Sequence, residues 1–273
     1  MATDQDRIRA YYSRFGEWER LDAPEGAIEF RRACALLDAR LPPRSRVLDL
    51  GGGPGRYAIK LAMDGHRVVL ADMSARLLAD ARQRIAQLGP LDGAIEAVDE
   101  VNATDLSGYP DQTFDAVIAF GPFYHLVSSQ ERVTAARELW RVLRTEGVAF
   151  VAFIPRLSGI VGLLERAIMF PEQVSAATLT TAATTGVFRN ASASGFQEGY
   201  YPTLGEMQTL FETAGFAIVD AVSLRSVASG LESKLSRLQP PVVAEVERLM
   251  EELGRDPAVI AHGGHAVVVV RKS

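Results

Sequence analysis

The sequence predicts an α/β fold over residues 41–154 and 203–273: a doubly wound, mostly parallel sheet with helices on both faces. Three observations predict it. Short, nearly continuous apolar runs alternate with segments whose apolar residues recur every three or four positions, as expected of strands buried on both faces and the helices that cover them. A glycine-rich turn over residues 51–55 separates the first such run from the helix after it. The composition, 48% hydrophobic and 23% charged over 273 residues, supplies core material for a globular α/β protein.

The elements follow in order. Ile8, Tyr11, Tyr12, Phe15 and Trp18 form one apolar stripe of a helix over 5–20, and a second helix covers 27–40, ending before Pro42-Pro43. Residues 1–40 read as an N-terminal helical cap. Residues 46–50 are the first strand, the glycine turn follows, and a helix runs through Leu61. Residues 67–72 are the second strand. Ser74 caps a helix bearing Leu77, Leu78, Ala81, Ile85 and Leu88, which Gly89-Pro90 ends. Strands are expected over 94–98 and 114–120. Ser128 with Glu131 has the spacing of a capping box ahead of a helix carrying Val133, Ala136, Trp140 and Leu143. The fifth strand is expected over 147–154.

After Pro155 the rhythm breaks, and residues 155–202 read as an inserted lid. It holds an apolar helix over 160–170, a stretch over 173–188 with no charged residue, and a turn-rich aromatic segment over 195–201. That uncharged stretch suits the lining of an apolar pocket, an interface or a loop. The alternation resumes with a helix over 204–214 and a strand over 216–222. An amphipathic helix with Val242, Val243, Val246, Leu249, Met250 and Leu253 comes next. A closing strand over 265–271 has no crossover helix after it, so it is expected to run antiparallel at or near the sheet edge.

Composition narrows the function classes. A net charge of −5 argues against a protein built to grip nucleic acid, which needs a basic face. Cys34 is the single cysteine, which excludes an intrachain disulfide and a multi-thiolate metal site. His66, His125, His262 and His265 show no HExxH spacing, and His262-Gly-Gly-His265 reads as a turn, so no metal is expected. The N-terminus is polar, and no apolar run approaches the ~20 residues of a membrane span. The expectation is a cytoplasmic protein with no membrane partner.

The chemistry centres on Val47-Leu48-Asp49-Leu50-Gly51-Gly52-Gly53-Pro54-Gly55. Glycines are needed where a ligand approaches the backbone closely and where φ turns positive. In an open parallel sheet this first turn lies at the switch point where ligands bind. Asp72, 21 residues after Gly51, ends the second strand, where an acid can bind a ribose. A dinucleotide site wants G-x-G-x-x-G; here the spacing is G-x-G-x-G, and Arg56 stands at the third dinucleotide glycine. S-adenosylmethionine (SAM) brings no phosphate, and Asp49 suits its ammonium or a water held on it.

The stretch VLDLGGGPGRYA resembles motif I of the class I SAM-dependent methyltransferases. LADMSARLLADARQR resembles their second-strand motif, and Val101 to Leu106 their adenine loop, with Asn102 where an Asp is usual. TFDAVIAFGPFYHL resembles motif IV, and LRTEGVAFVAF the turn and fifth strand, with Glu146 in place of a glycine. The resemblance covers about residues 40–154 and, more weakly, 203–223 and 264–271. It implies a seven-stranded sheet, with cap and insertion over the carboxyl ends of the strands.

It also implies roles. Gly51, Gly53 and Gly55 line the cofactor backbone, Asp49 orients the methionine end and Asp72 takes the ribose. Met73 packs on the adenine, Asn102 and Ala103 meet its edge, and the segment from Phe120 to Tyr124 lies beside the sulfonium and the substrate. Tyr124 and His125 stand where the reacting methyl should sit. His125 is a candidate general base, with a packed histidine as the alternative. Tyr124 is a candidate pocket residue or a core aromatic. Tyr11 and Tyr12 are candidate substrate contacts on a lid helix, or pack against the insertion or a partner chain. The implied reaction is methyl transfer from SAM to O, N or C of a small organic acceptor, releasing S-adenosylhomocysteine; a homodimer is a candidate assembly. Two rivals remain: a SAM-binding protein without methyl transfer, and a nicotinamide-dependent oxidoreductase.

Overall fold

The computed structural model describes residues 17–89, 94–190 and 198–273. Most of the expected first helix, with Tyr11 and Tyr12, lies outside them. The cap is described from α1 (Glu17–Arg20) and α2 (Pro24–Arg40). The core alternates β1 (Arg46–Leu50), α3 (Arg56–Met63), β2 (Arg67–Asp72), α4 (Ala75–Gln87), β3 (Ile95–Glu100), β4 (Phe114–Ala119), α5 (Ser129–Val142) and β5 (Leu143–Phe153). The insertion holds α6 (Arg156–Met169), α7 (Ala176–Thr185) and a hairpin of β6 (Val187–Arg189) and β7 (Glu198–Tyr200). The chain closes with α8 (Leu204–Thr213), β8 (Phe216–Ser223), α9 (Pro240–Leu253), α10 (Pro257–His262) and β9 (Ala266–Lys272).

The main sheet has seven strands in the order β3-β2-β1-β4-β5-β9-β8. The first five run parallel, and β9 is antiparallel to both neighbours. Side chains alternate between two cores. Val47, Val68 and Leu70 face Leu37, Leu61 and Leu78 of α2, α3 and α4. Leu48, Val69 and Val117 face Ala135 and Leu139 of α5, Phe211 of α8 and Ile260 of α10. That two-sided burial is why the strands read as continuous apolar runs. No helix among the described residues is long and apolar enough to cross a membrane.

The closing strand β9 runs antiparallel one place in from the edge strand β8, near the sheet edge as expected; residues 266–270 are all fully buried, whereas β8 is half-exposed and carries Asp220. Three expectations change. Ser128 caps α5 without a side-chain bond, because Glu131 turns toward a cavity instead. Capping boxes form at Ser175–Thr178 and Thr203–Glu206. The fifth strand begins at Leu143; a bulge carries the pairing from Phe114–Leu143 to Ala116–Val148, and Glu146 sits within it at φ 63°. Finally, the uncharged stretch forms α7, which packs with α6 around Leu163, Ala182, Phe188 and Tyr201.

Candidate cofactor and active site

A cavity opens at the carboxyl ends of β1, β2 and β4, the place where open α/β sheets bind ligands. The glycine turn forms its floor. Gly51 and Gly52 both donate to the Ala71 carbonyl, at 2.7 and 3.2 Å, which ties the turn to β2. Gly51 has φ 71°, and a Cβ there would sit 2.7 Å from the Pro122 ring. A Cβ on Gly52 would sit 2.5 Å from Asp49 Oδ2. The turn thus leaves no room for side chains between β1, the segment after β4 and a ligand.

Two buried acids flank the turn. Asp72 accepts from the Gly53 N–H at 2.9 Å and from the Ser74 N–H at 2.8 Å, so it fixes the turn and starts α4 while facing the cavity. Burial pushes its carboxyl up to about 6 against those two hydrogen bonds. Asp49 is 1% exposed. Burial pushes its carboxyl up to about 7, partly offset by a bond from the Ala58 backbone. Its Oδ2 is buried with no hydrogen-bond partner. A buried carboxylate oxygen left without a donor is costly unless a ligand supplies one.

Of the residues expected at a cofactor, Asp49, Gly51, Gly53, Asp72, Met73, Asn102, Ala103 and Phe120 all line this cavity, as do Tyr124 and His125. Gly55 does not. It caps α3 at φ 84°, and its missing Cβ lets that helix approach Leu70 and Ala81. The oxygen of Asn102 is engaged by Thr104, which donates from its N–H at 3.1 Å and its hydroxyl at 3.0 Å. No described residue of 155–202 lines the cavity; β7 instead packs behind the 3-10 turn Phe123–His125.

His125 is 8% exposed and bonded to the Glu198 backbone. Burial pushes its ring down to about 4, so it is a weak base at neutral pH. Tyr124 stacks on His265, with ring centroids 5.6 Å apart. His265 Nδ1 lies 2.6 Å from Glu29 Oε2, and Glu29 Oε1 accepts from Arg20 at 3.2 Å. Burial of Glu29 opposes its charge, but His265 and Arg20 together hold its carboxyl down at about 2.

Gly121 and Pro122, within the segment expected beside the sulfonium, also line the cavity, as do Glu17, Arg20 and Leu21 of the cap and Tyr57, which the sequence alone does not single out. The Gly121-Pro122 pair right after β4 is a readable turn signal. Nothing local marks Glu17 or Arg20, because α1 reaches the cavity only through tertiary contacts. Trp18 holds it there, stacked under the Arg84 guanidinium at 4.0 Å and that of Arg56 at 5.0 Å.

The donor set fits SAM. Asp49 offers a buried carboxyl group with one unpartnered oxygen, which a cationic ammonium would hold in its charged form, whereas its charged form would repel a pyrophosphate. Met73, Leu77, Ala103 and Leu126 give an apolar slot for a base. Among the described residues no cluster of three or more potential metal ligands occurs.

Residues 47–147 match the family described as "Methyltransferase domain". The tRNA 5-carboxymethoxyuridine methyltransferase of Escherichia coli K12 is 34% identical over 41% of this chain and 41% of its own length. The ubiquinone/menaquinone biosynthesis C-methyltransferase of Xanthomonas oryzae is 38% identical over 41% of this chain and 44% of its own. These matches therefore span less than half of either relative. Among solved structures, the 1,6-didemethyltoxoflavin-N1-methyltransferase of Burkholderia thailandensis, with bound S-adenosylhomocysteine, aligns with a TM-score of 0.60 at 17% identity, over 100% of this chain and 92% of that one. Residues 47–147 are thus a methyltransferase domain, and the sheet order is that of the class I SAM-dependent fold.

Proposed function

We propose that the protein transfers the methyl group of SAM to O, N or C of a small organic acceptor, releasing S-adenosylhomocysteine. The observation that carries this reading is Asp49, a buried carboxylate with one unpaired oxygen under the glycine turn. SAM supplies an electrophilic methyl on a sulfonium. Asp49 would take the ammonium of its amino-acid tail, and Asp72, already bonded to Gly53 and Ser74, would present its remaining lone pairs to the ribose. Met73, Leu77 and Ala103 would hold the adenine.

The residues that follow β4 do the rest. Phe120, Gly121 and Pro122 wall the cavity beside the glycine turn, and Tyr124 borders the open space where an acceptor would approach. Methyl transfer is an in-line displacement, and holding acceptor and methyl in line can supply most of the rate. His125, neutral and tied to Glu198, serves here as a wall rather than a base.

The acidic balance of the chain, −5, favours a small acceptor over an RNA. The tRNA methyltransferase likeness supplies the alternative acceptor to test. Incubation of the protein with methyl-labelled SAM and either a small-molecule extract or deacylated tRNA separates them. Label in the low-mass fraction is expected. Label in tRNA would overturn the acceptor class. Tight SAM binding with no transfer to either would favour a SAM-binding protein that does not methylate.

A further inference from the structure

We propose that the outer face of α6 is a homodimer interface, on which a second copy of this chain lays the same face. Leu157, Val161, Leu164 and Ile168 recur at spacings of four, three and four, which makes one apolar stripe along α6. The other side of the helix is already used. Gly159 and Leu163 are buried there, and Ile160 and Ala167 join Leu163 in the packing with Phe188 and Tyr201. The stripe itself meets solvent. Ile168 is 80% exposed and Met169 beside it 65%, while Leu157, Leu164 and Phe170 are about half exposed. A stripe at that spacing is what one helix offers to another.

Area and charge select the occupant. The five exposed side chains leave roughly 500 Å² in solvent, in the upper range for an apolar patch on a monomer. The helix α7 packs against α6 and adds the exposed Ala177, Thr181 and Thr184. Together they approach the roughly 800 Å² per partner of a stable interface. A lipid surface fits less well, because its anionic headgroups call for cations beside the apolar stripe. The two arginines of α6 are turned elsewhere, Arg156 to Glu206 and Arg166 to Gln173, and the charge flanking the stripe is that of the exposed Glu165. A second copy meets no such mismatch. Residues 173–188 carry no charge, so two copies approach over α7 without like-charge repulsion, and Glu165 falls on the wet rim. A contact in which each copy gives the same stripe closes at two subunits. None of these residues lines the glycine-turn cavity, so pairing leaves that cavity open.

Sedimentation velocity on the full chain reads the assembly directly. The wild type is expected to run at twice the chain mass at about 50 μM protomer. Ile168→Glu sets like charges into the symmetric contact and is expected to raise the dimer Kd by about 100-fold or more. Ile168→Leu keeps the apolar surface and should stay a dimer. Leu157→Glu, at the other end of the stripe, should act as Ile168→Glu does, and it carries the test if the first variant fails to fold. Far-UV circular dichroism of the monomeric variants should match the wild type, because both side chains are exposed in the single chain. A wild-type monomer at that concentration overturns the proposal, as does a dimer that both glutamates leave intact. Wild-type chain that cosediments with phosphatidylcholine–phosphatidylglycerol vesicles as a monomer, and loses them in Ile168→Glu, would make the face a lipid-binding surface and overturn it too.

Discussion

At the residue scale the site is governed by two acids that the fold buries against their ordinary preference. Asp49, pushed up to about 7 by burial, keeps a proton in the ligand-free protein that the unfolded chain would release near 4. A carboxyl raised in this way contributes stability that is fully present below about pH 4 and is lost as pH rises through 7. Asp49→Asn removes the buried charge, so it is expected to raise ligand-free stability at pH 8 by about 1–3 kcal/mol in urea unfolding while sharply weakening SAM. In the wild type, SAM affinity should fall as pH drops from 8 to 6, because the ammonium loses its anion; titrations at four pH values check this. A pH-independent affinity would remove Asp49 from the contact. Both acids are legible in the sequence, since the end of an apolar strand beside a glycine turn is a position with a mechanism. The engagement of Asn102 by Thr104 is not, because a two-residue side-chain turn leaves no periodic trace.

At the scale of elements, periodicity locates the strands and helices, and the misses fall where local signals compete with tertiary ones. Ser128 and Glu131 have capping-box spacing, yet Glu131 lines the cavity and Ser128 makes no side-chain bond. Residues 144–146 read as a turn before the fifth strand but form a bulge inside it, with Glu146 at φ 63°. A glutamate there is strained, and its ion pair with Arg271 is long at 3.8 Å and exposed. Glu146→Gly is therefore expected to stabilise the protein by about 0.5–1 kcal/mol, read as a rise in Tm with unchanged SAM affinity. A lower Tm would mean that the side chain outweighs the strain.

At the scale of the whole molecule, the order β3-β2-β1-β4-β5-β9-β8 places the first glycine turn, the end of β2 and the segment after β4 around one cavity. The parallel half of that order is readable from alternation, and the seven-strand count comes from resemblance. The position of β9 inside the sheet is written in its five consecutive fully buried residues, 266–270, a run that suits an interior strand better than an edge. A cap over the strand ends is implied by the resemblance, but the contacts that hold it are not legible, because Arg20, Glu29 and His265 meet across a separation of up to 236 residues between bonded partners. The described residues of the insertion do not line the cavity, and β7 packs against the turn Phe123–His125. The central claim is that this cavity binds an adenosyl cofactor through its amino-acid tail and not a dinucleotide. The most direct measurement is calorimetric titration of the purified protein with SAM, S-adenosylhomocysteine and NADH. Micromolar binding of the first two and none of NADH is the predicted result; NADH binding without adenosyl binding would contradict the account.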